Sequence, residues 1–138
     1  MDIASGDAKP IGRAYPTIHA ADVGPTRLFR YQAADGLDIE GVLTLPPGRK
    51  AENLPVVMMP HGGPIDVVDR IRFDWWAQAY ASAGYAVFQP NYRGSGGYGR
   101  EFREAGFGQG GRKMQSDVSD GLAALAGQGT DGINPAVD

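Results

Sequence analysis

In this sequence Pro60-His61-Gly62-Gly63-Pro64 follows directly on the apolar run Leu54-Pro55-Val56-Val57-Met58-Met59. A buried strand that opens into a His-Gly-Gly loop can turn backbone N–H groups toward an oxygen that becomes negative during acyl transfer. The donors must come from Gly62 or Gly63, because Pro64 has no N–H. Loss of one such donor costs about 3 kcal/mol of transition-state stabilisation. The competing reading of the same residues is a glycine-rich turn after a strand. His61 reads as a loop-shaping residue rather than a base. In the chain order Ser, Asp, His the base comes last, and no histidine follows His61.

The other chemistry-bearing residues fall short of a site. No serine stands in a Gly-x-Ser-x-Gly frame. Ser95 comes nearest, in Arg93-Gly94-Ser95-Gly96-Gly97, but Arg93 holds the place of the first glycine, so Ser95 is not expected to be a nucleophile. Gly94-x-Gly96-x-x-Gly99 and Gly106-x-Gly108-x-x-Gly111 both match a dinucleotide-binding pattern. A nucleotide-binding module is therefore one alternative function. The signal is weak in a chain with 21 glycines, and Arg100 to Ala105 is short for the helix such a loop must open. Arg93, at the carboxyl end of a strand, is a candidate for a substrate carboxylate; the competing reading pairs it with a structural acid. Asp117 and Asp120, three apart on one helix, read as a solvated face. With His19 and His61 as the two histidines and no cysteine, neither a metal site nor a disulfide is expected, and no cofactor is implied.

The elements that must position these residues read as α/β. Phe29, Tyr31 and Ala33 alternate with polar residues, as do Ile39, Gly41, Leu43 and Leu45, and Asp35-Gly36 lies between the two runs. This is a strand, turn, strand pattern. Val56 to Met59 is continuously apolar, as suits a strand covered on both faces. A helix is expected from Asp74, with Trp76, Tyr80 and Ala83 on one face, Trp75 and Trp76 as core and rim, and Gly84 at its end. Tyr85 to Gln89 is the next strand, closed by Pro90, which completes a βαβ unit. Met114, Val118, Leu122 and Leu125 predict a second helix, weakened by Gly121 at a cost of about 1 kcal/mol and ended by Gly127. Residues 1–25 read as irregular and the tail from Gly129 as loop. A helix that follows the last strand normally feeds a further parallel strand, so one edge of the sheet is expected to lack its neighbour and to invite self-association.

Composition narrows the function classes. The chain has 138 residues and a net charge of -3, which disfavours a nucleic-acid partner. No run approaches eighteen apolar residues, so no membrane partner is expected. Met1 to Asp7 lack the basic start and apolar core of a signal peptide, which reads as cytoplasmic if the chain begins at Met1. A non-catalytic interaction protein is the remaining alternative.

Several ordered blocks at natural spacing resemble the prolyl oligopeptidase family of serine peptidases, in the style of its acylaminoacyl-peptidase and dipeptidyl-aminopeptidase branch. They are Asp35-Gly36-Leu37-x-Ile39-x-Gly41-x-Leu43-Thr44-Leu45-Pro46, Pro60-His61-Gly62-Gly63-Pro64, Ala81-Ser82-x-Gly84-Tyr85-Ala86-Val87 and Gln89-Pro90-Asn91-Tyr92-Arg93-Gly94-Ser95-x-Gly97-Tyr98-Gly99. The resemblance implies an α/β-hydrolase domain, a Ser-Asp-His triad, a peptide substrate and a preceding β-propeller. Residues 1–25 then resemble the exit from the propeller, and residues 26–138 the N-terminal half of the peptidase domain. The nucleophile elbow, acid and base fall outside the 138 residues. On that basis the chain carries the oxyanion loop His61, Gly62 and Gly63, lacks the triad, is inactive alone, and has the rest of its catalytic domain as its partner.

Overall fold

The computed structural model describes residue 12 and residues 14–128. Strand β1 (Thr26–Gln32) and strand β2 (Asp38–Thr44) form an antiparallel hairpin, in register from Thr26 opposite Thr44 to Gln32 opposite Asp38. Gly36 makes the turn at φ 87°, and its N–H donates to the Ala33 carbonyl at 2.8 Å. Strand β3 (Val56–Met58) and strand β4 (Ala86–Asn91) pair in parallel, while β4 pairs antiparallel with β2. The strand order is β1-β2-β4-β3, which leaves β3 at one end of the sheet among the described residues. Every residue of β4 is buried. Pro90 does not close this strand: it pairs with Gly41, and Asn91 with Glu40. Gly41 keeps the layers close there, since a Cβ on it would lie 2.5 Å from the Phe88 ring.

Helix α1 (Trp75–Ser82) begins as expected, with the Asp74 carboxylate accepting from the Ala77 N–H at 3.0 Å. Gly84 follows it at φ 99°. The face it buries is a different one. Ala77, Gln78 and Ala81 point inward, whereas Trp75 and Trp76 are 54% and 52% exposed and Tyr80 is exposed too. Small residues win this face because the strand-leading segment crosses close by. Gln78 brackets Gly24, accepting from its N–H at 2.7 Å and donating to its carbonyl at 3.1 Å. Helix α2 (Arg100–Glu104) is a single turn that the glycine-rich sequence did not announce. Of the expected irregular connector 1–25, the described part holds one 3-10 turn at Ala20–Asp22. The expected loop after Gly129 lies outside the described residues.

Helix α3 (Lys113–Gln128) also turns a face that apolar spacing does not mark. Met114, Asp117, Gly121 and Leu125 are buried; Leu122 is exposed. The stripe passes through a carboxylate that has a buried partner and a glycine that lets two rings approach. A Cβ at Gly121 would lie 2.9 Å from Tyr31 and 3.0 Å from Phe88. These rings, with Phe29, form an edge-to-face core, Phe88 standing 5.4 Å from Phe29 and 6.0 Å from Tyr31. Helix propensity alone makes Gly121→Ala stabilising by about 1 kcal/mol. Overpacking against rigid buried rings costs about 1–3 kcal/mol. The variant is therefore expected to lower stability in urea unfolding; a gain would show that the rings yield freely.

Candidate functional site

The His61 loop leaves the sheet at the carboxyl end of β3, where Met59 N–H still donates to the Phe88 carbonyl at 2.8 Å. Gly62 and Gly63 are exposed. Gly63 sits at φ 125°, a conformation reserved for glycine, and a Cβ on it would overlap Val67 Cγ2. A Cβ on Gly62 would meet nothing. Neither amide donates to an acceptor among the described residues. The chain beyond Pro64 is tied back to the segment after β4. Asp66 N–H donates to the Gly94 carbonyl and Gly96 N–H to the Val67 carbonyl, each at 3.0 Å. Fully buried Asn91 accepts from Asp69 N–H at 2.8 Å and donates to the Asp69 carbonyl at 2.9 Å.

His61 is held on three sides. Its Nε2 lies 3.0 Å from Ser95 Oγ, its ring stacks on Tyr92 at 4.8 Å, and its carbonyl accepts from the Tyr92 hydroxyl at 2.5 Å. Its Nδ1 lies 3.1 Å from the Gly62 carbonyl. The contact of His61 with Ser95 has no local signature, since 34 residues separate the two. The pair resembles a nucleophile and base, but the geometry opposes that chemistry. Ser95 is 0% exposed, and its hydroxyl donates to the Tyr92 carbonyl at 2.7 Å. A nucleophile needs an open oxygen whose proton faces the base.

Of the two readings of Arg93, the structure takes the pairing with structural acids and not the substrate carboxylate. The residue is 4% exposed, and four of its five guanidinium N–H groups donate to two carboxylates. Nε and one terminal nitrogen each donate to Asp117 at 2.7 Å; both terminal nitrogens donate to Asp35 at 2.9 Å. Lys113 adds a donor to Asp35 at 2.7 Å. A guanidinium spent this way has no face left for a substrate carboxylate. Asp117, expected on a solvated helix face, is fully buried for the same reason. The bonds from Arg93 and Lys113 hold the Asp35 carboxyl well below the usual range, and the two carboxylates hold Arg93 above its own.

A second polar cluster closes the far side of the Asn91 hub. Asn91 donates to the Tyr98 hydroxyl at 2.9 Å, which donates to Glu40 at 3.1 Å. Burial, reinforced by Glu40, pushes the Tyr98 hydroxyl up to about 12. Burial also raises the Asp69 carboxyl. Of the glycines in the two dinucleotide-like patterns, Gly94, Gly96 and Gly106 are consumed by packing between chain segments, while Gly99, Gly108 and Gly111 have open space around them and hold positive φ. A Cβ at Gly96 would lie 2.7 Å from the Asp66 carbonyl, and one at Gly106 would lie 2.5 Å from Gly94 Cα. Close approach accounts for the first three and left-handed backbone for the others, without a phosphate.

Beside the loop lies a cleft of about 450 Å³ bordered by Pro60, His61, Pro64, Tyr92, Met114 and Val118. A larger depression of about 530 Å³ lies over the hairpin, beside the Arg30–Glu40 ion pair, and does not include the His61 loop. The loop, its two unengaged amides and the adjoining cleft are the arrangement that could bind a developing anion.

Comparison with known proteins gives a consistent answer. The prolyl oligopeptidase family profile matches residues 71–134. Dipeptidyl aminopeptidase BIII of Pseudoxanthomonas mexicana is 30% identical over an alignment of 135 positions that covers 93% of this chain and 19% of that protein. A puromycin hydrolase mutant complexed with PGG superposes with a TM-score of 0.80 at 32% identity, over 92% of this chain and 20% of the other. The acylaminoacyl peptidase of Pyrococcus horikoshii gives 0.65 at 29% identity, over 75% and 16%. The fold is thus that of α/β-hydrolase peptidases, of which this chain spans about a fifth of the length.

Proposed function

We propose that this chain, which belongs to the prolyl oligopeptidase family of serine peptidases, supplies the oxyanion-binding side of a peptide-hydrolysing site, with the Gly62 and Gly63 N–H groups as donors. The observation that carries this reading is the pair of amides itself. They stand on an exposed loop at the carboxyl end of a parallel strand and have no acceptor among the described residues. In amide hydrolysis by a serine peptidase the nucleophile oxygen bonds to the carbonyl carbon, and the C=O electron pair moves onto the oxygen. Donors fixed in advance stabilise a charge that the ground state does not carry. Collapse of the intermediate restores the carbonyl and breaks the C–N bond, the proton that the base took from the nucleophile passes to the departing amine, and water then hydrolyses the acyl-enzyme. Short peptides are the substrate class we propose, in keeping with the dipeptidyl aminopeptidase and acylaminoacyl peptidase among the relatives.

On this reading the nucleophile, acid and base come from residues outside these 138. No serine here has an elbow frame, and Ser95 is sealed. Residues that bring the nucleophile would add to the outer edge of β3 and border the cleft beside His61; without them, copies of the chain would associate through that edge. The 138-residue chain is expected to take no label from a fluorophosphonate probe and to turn over no activated ester. Stoichiometric labelling of Ser95 would overturn the assignment.

A further inference from the structure

We propose that Ser95 and the Tyr92 hydroxyl are positioning groups that fix the aim of the Gly62 and Gly63 amides by clamping His61. The inference rests on the oxyanion reading for its catalytic consequence. Its structural basis is independent of that reading.

The clamp begins in a turn. Tyr92 to Ser95 close with Ser95 N–H donating to the Tyr92 carbonyl at 3.0 Å, and Gly94 supplies φ 96° at the third position. That is type II turn geometry. The Ser95 hydroxyl gives its one hydrogen to the same carbonyl at 2.7 Å, which leaves its lone pairs to accept from His61 Nε2 at 3.0 Å. From the other end of the turn, the Tyr92 hydroxyl donates to the His61 carbonyl, and its ring covers the imidazole. Both the side chain and the backbone of His61 are therefore fixed to one rigid turn. The peptide that starts at the clamped carbonyl carries the Gly62 N–H.

The turn is itself immobilised. Gly94 N–H donates to the Phe102 carbonyl at 3.0 Å, Gly106 packs on Gly94, and Arg93 is locked by Asp117 and Asp35. Gly62, next in the loop, has open space around it, while Gly63 lies against Val67. The Gly62 amide thus takes its direction from the residue before it, and the Gly63 amide from Gly62 and the Val67 contact. This explains a fully buried hydroxyl paired with a histidine in a place where neither group can attack a substrate.

The test uses Ser95→Ala and Tyr92→Phe, each in the full-length protein that the proposed function implies, against Gly63→Ala. Tyr92→Phe keeps the ring stack and removes the bond to the His61 carbonyl. Each clamp variant is expected to lower kcat by about tenfold or more, the scale on which small misplacements of catalytic groups act. KM should stay within about twofold, and affinity for a peptidyl boronate, whose adduct carries the tetrahedral anion, should fall in parallel with kcat. In the 138-residue chain, 15N relaxation is expected to show the Gly62 and Gly63 amides ordered in the parent and mobile in both variants. Unchanged kcat and unchanged amide order in both would overturn the clamp. If Gly63→Ala abolishes boronate binding while the clamp variants retain it, the oxyanion reading stands and the clamp falls. If none of the three affects it, the oxyanion reading is the one that fails.

Discussion

Gly63→Ala is expected to cost the full-length protein about 100-fold or more in kcat/KM on a short peptide amide, the range seen when one oxyanion donor is lost. Two effects act together. The residue holds φ 125°, where an L side chain is strained by about 1–3 kcal/mol. Its new Cβ would also overlap Val67 Cγ2, and relief of that overlap must turn the peptide. The loop is exposed, so the relief comes from loop movement and not from unfolding; thermal stability is expected to change little. Gly62→Ala is the control. Its Cβ meets nothing, and Gly62 is not among the positive-φ residues. Activity within about fivefold of the parent is expected for it, since a methyl in open space leaves the N–H in place. Steady-state kinetics with both variants, run beside fluorophosphonate labelling, separates a misaimed donor from a lost nucleophile. A Gly63→Ala enzyme as active as the parent would remove the loop from the mechanism.

The hairpin, β3, the Asp74 cap and the exposed His-Gly-Gly loop were legible in the sequence because each rests on a local rule. Alternation marks a half-buried strand, a carboxylate fits free N–H groups, and glycine is tolerated where φ is positive. The misread faces share one physical cause. The inward face of α1 is made of Ala77, Gln78 and Ala81, and that of α3 includes Asp117 and Gly121. Burial there is set by close approach and by a polar partner elsewhere in the chain, neither of which raises local hydrophobicity. Arg93 was similarly ambiguous. Its position at a strand end suits a ligand, and only the fold brings Asp35 from 58 residues away and Asp117 from 24. The Ser95–His61 contact could not be inferred from spacing, since a Tyr92–Ser95 turn must first carry the hydroxyl under the loop.

Arg93→Met is expected to destabilise the chain by about 3–5 kcal/mol, the cost of leaving a buried charge without its partner. Asp117 is fully buried and would keep only the Arg93 N–H, at 3.1 Å, as a donor from that segment. Arg93→Lys keeps the charge but not the planar fork, so a smaller loss of about 1–2 kcal/mol is expected. The double replacement Arg93→Met with Asp117→Leu removes both charges and is expected to recover most of the single-variant loss. Urea unfolding of the four proteins checks this; a single variant as stable as the parent would show that Asp117 finds other solvation. Acid separates the contribution of Asp35. Its carboxyl is depressed in the folded state, so its stabilising effect is complete above the ordinary value of 3.8 and is lost as pH falls below it. Asp35→Asn should therefore narrow the stability difference between neutral and acidic solution, and an unchanged acid profile would count against a stabilising role for the Asp35 bonds to Arg93 and Lys113. The network also bears on chemistry. Arg93 lies inside the turn that holds His61, between Tyr92 and Ser95. Loosening it should lower kcat in the full-length protein at temperatures where the fold still stands, because the turn frees the His61 loop before the sheet opens.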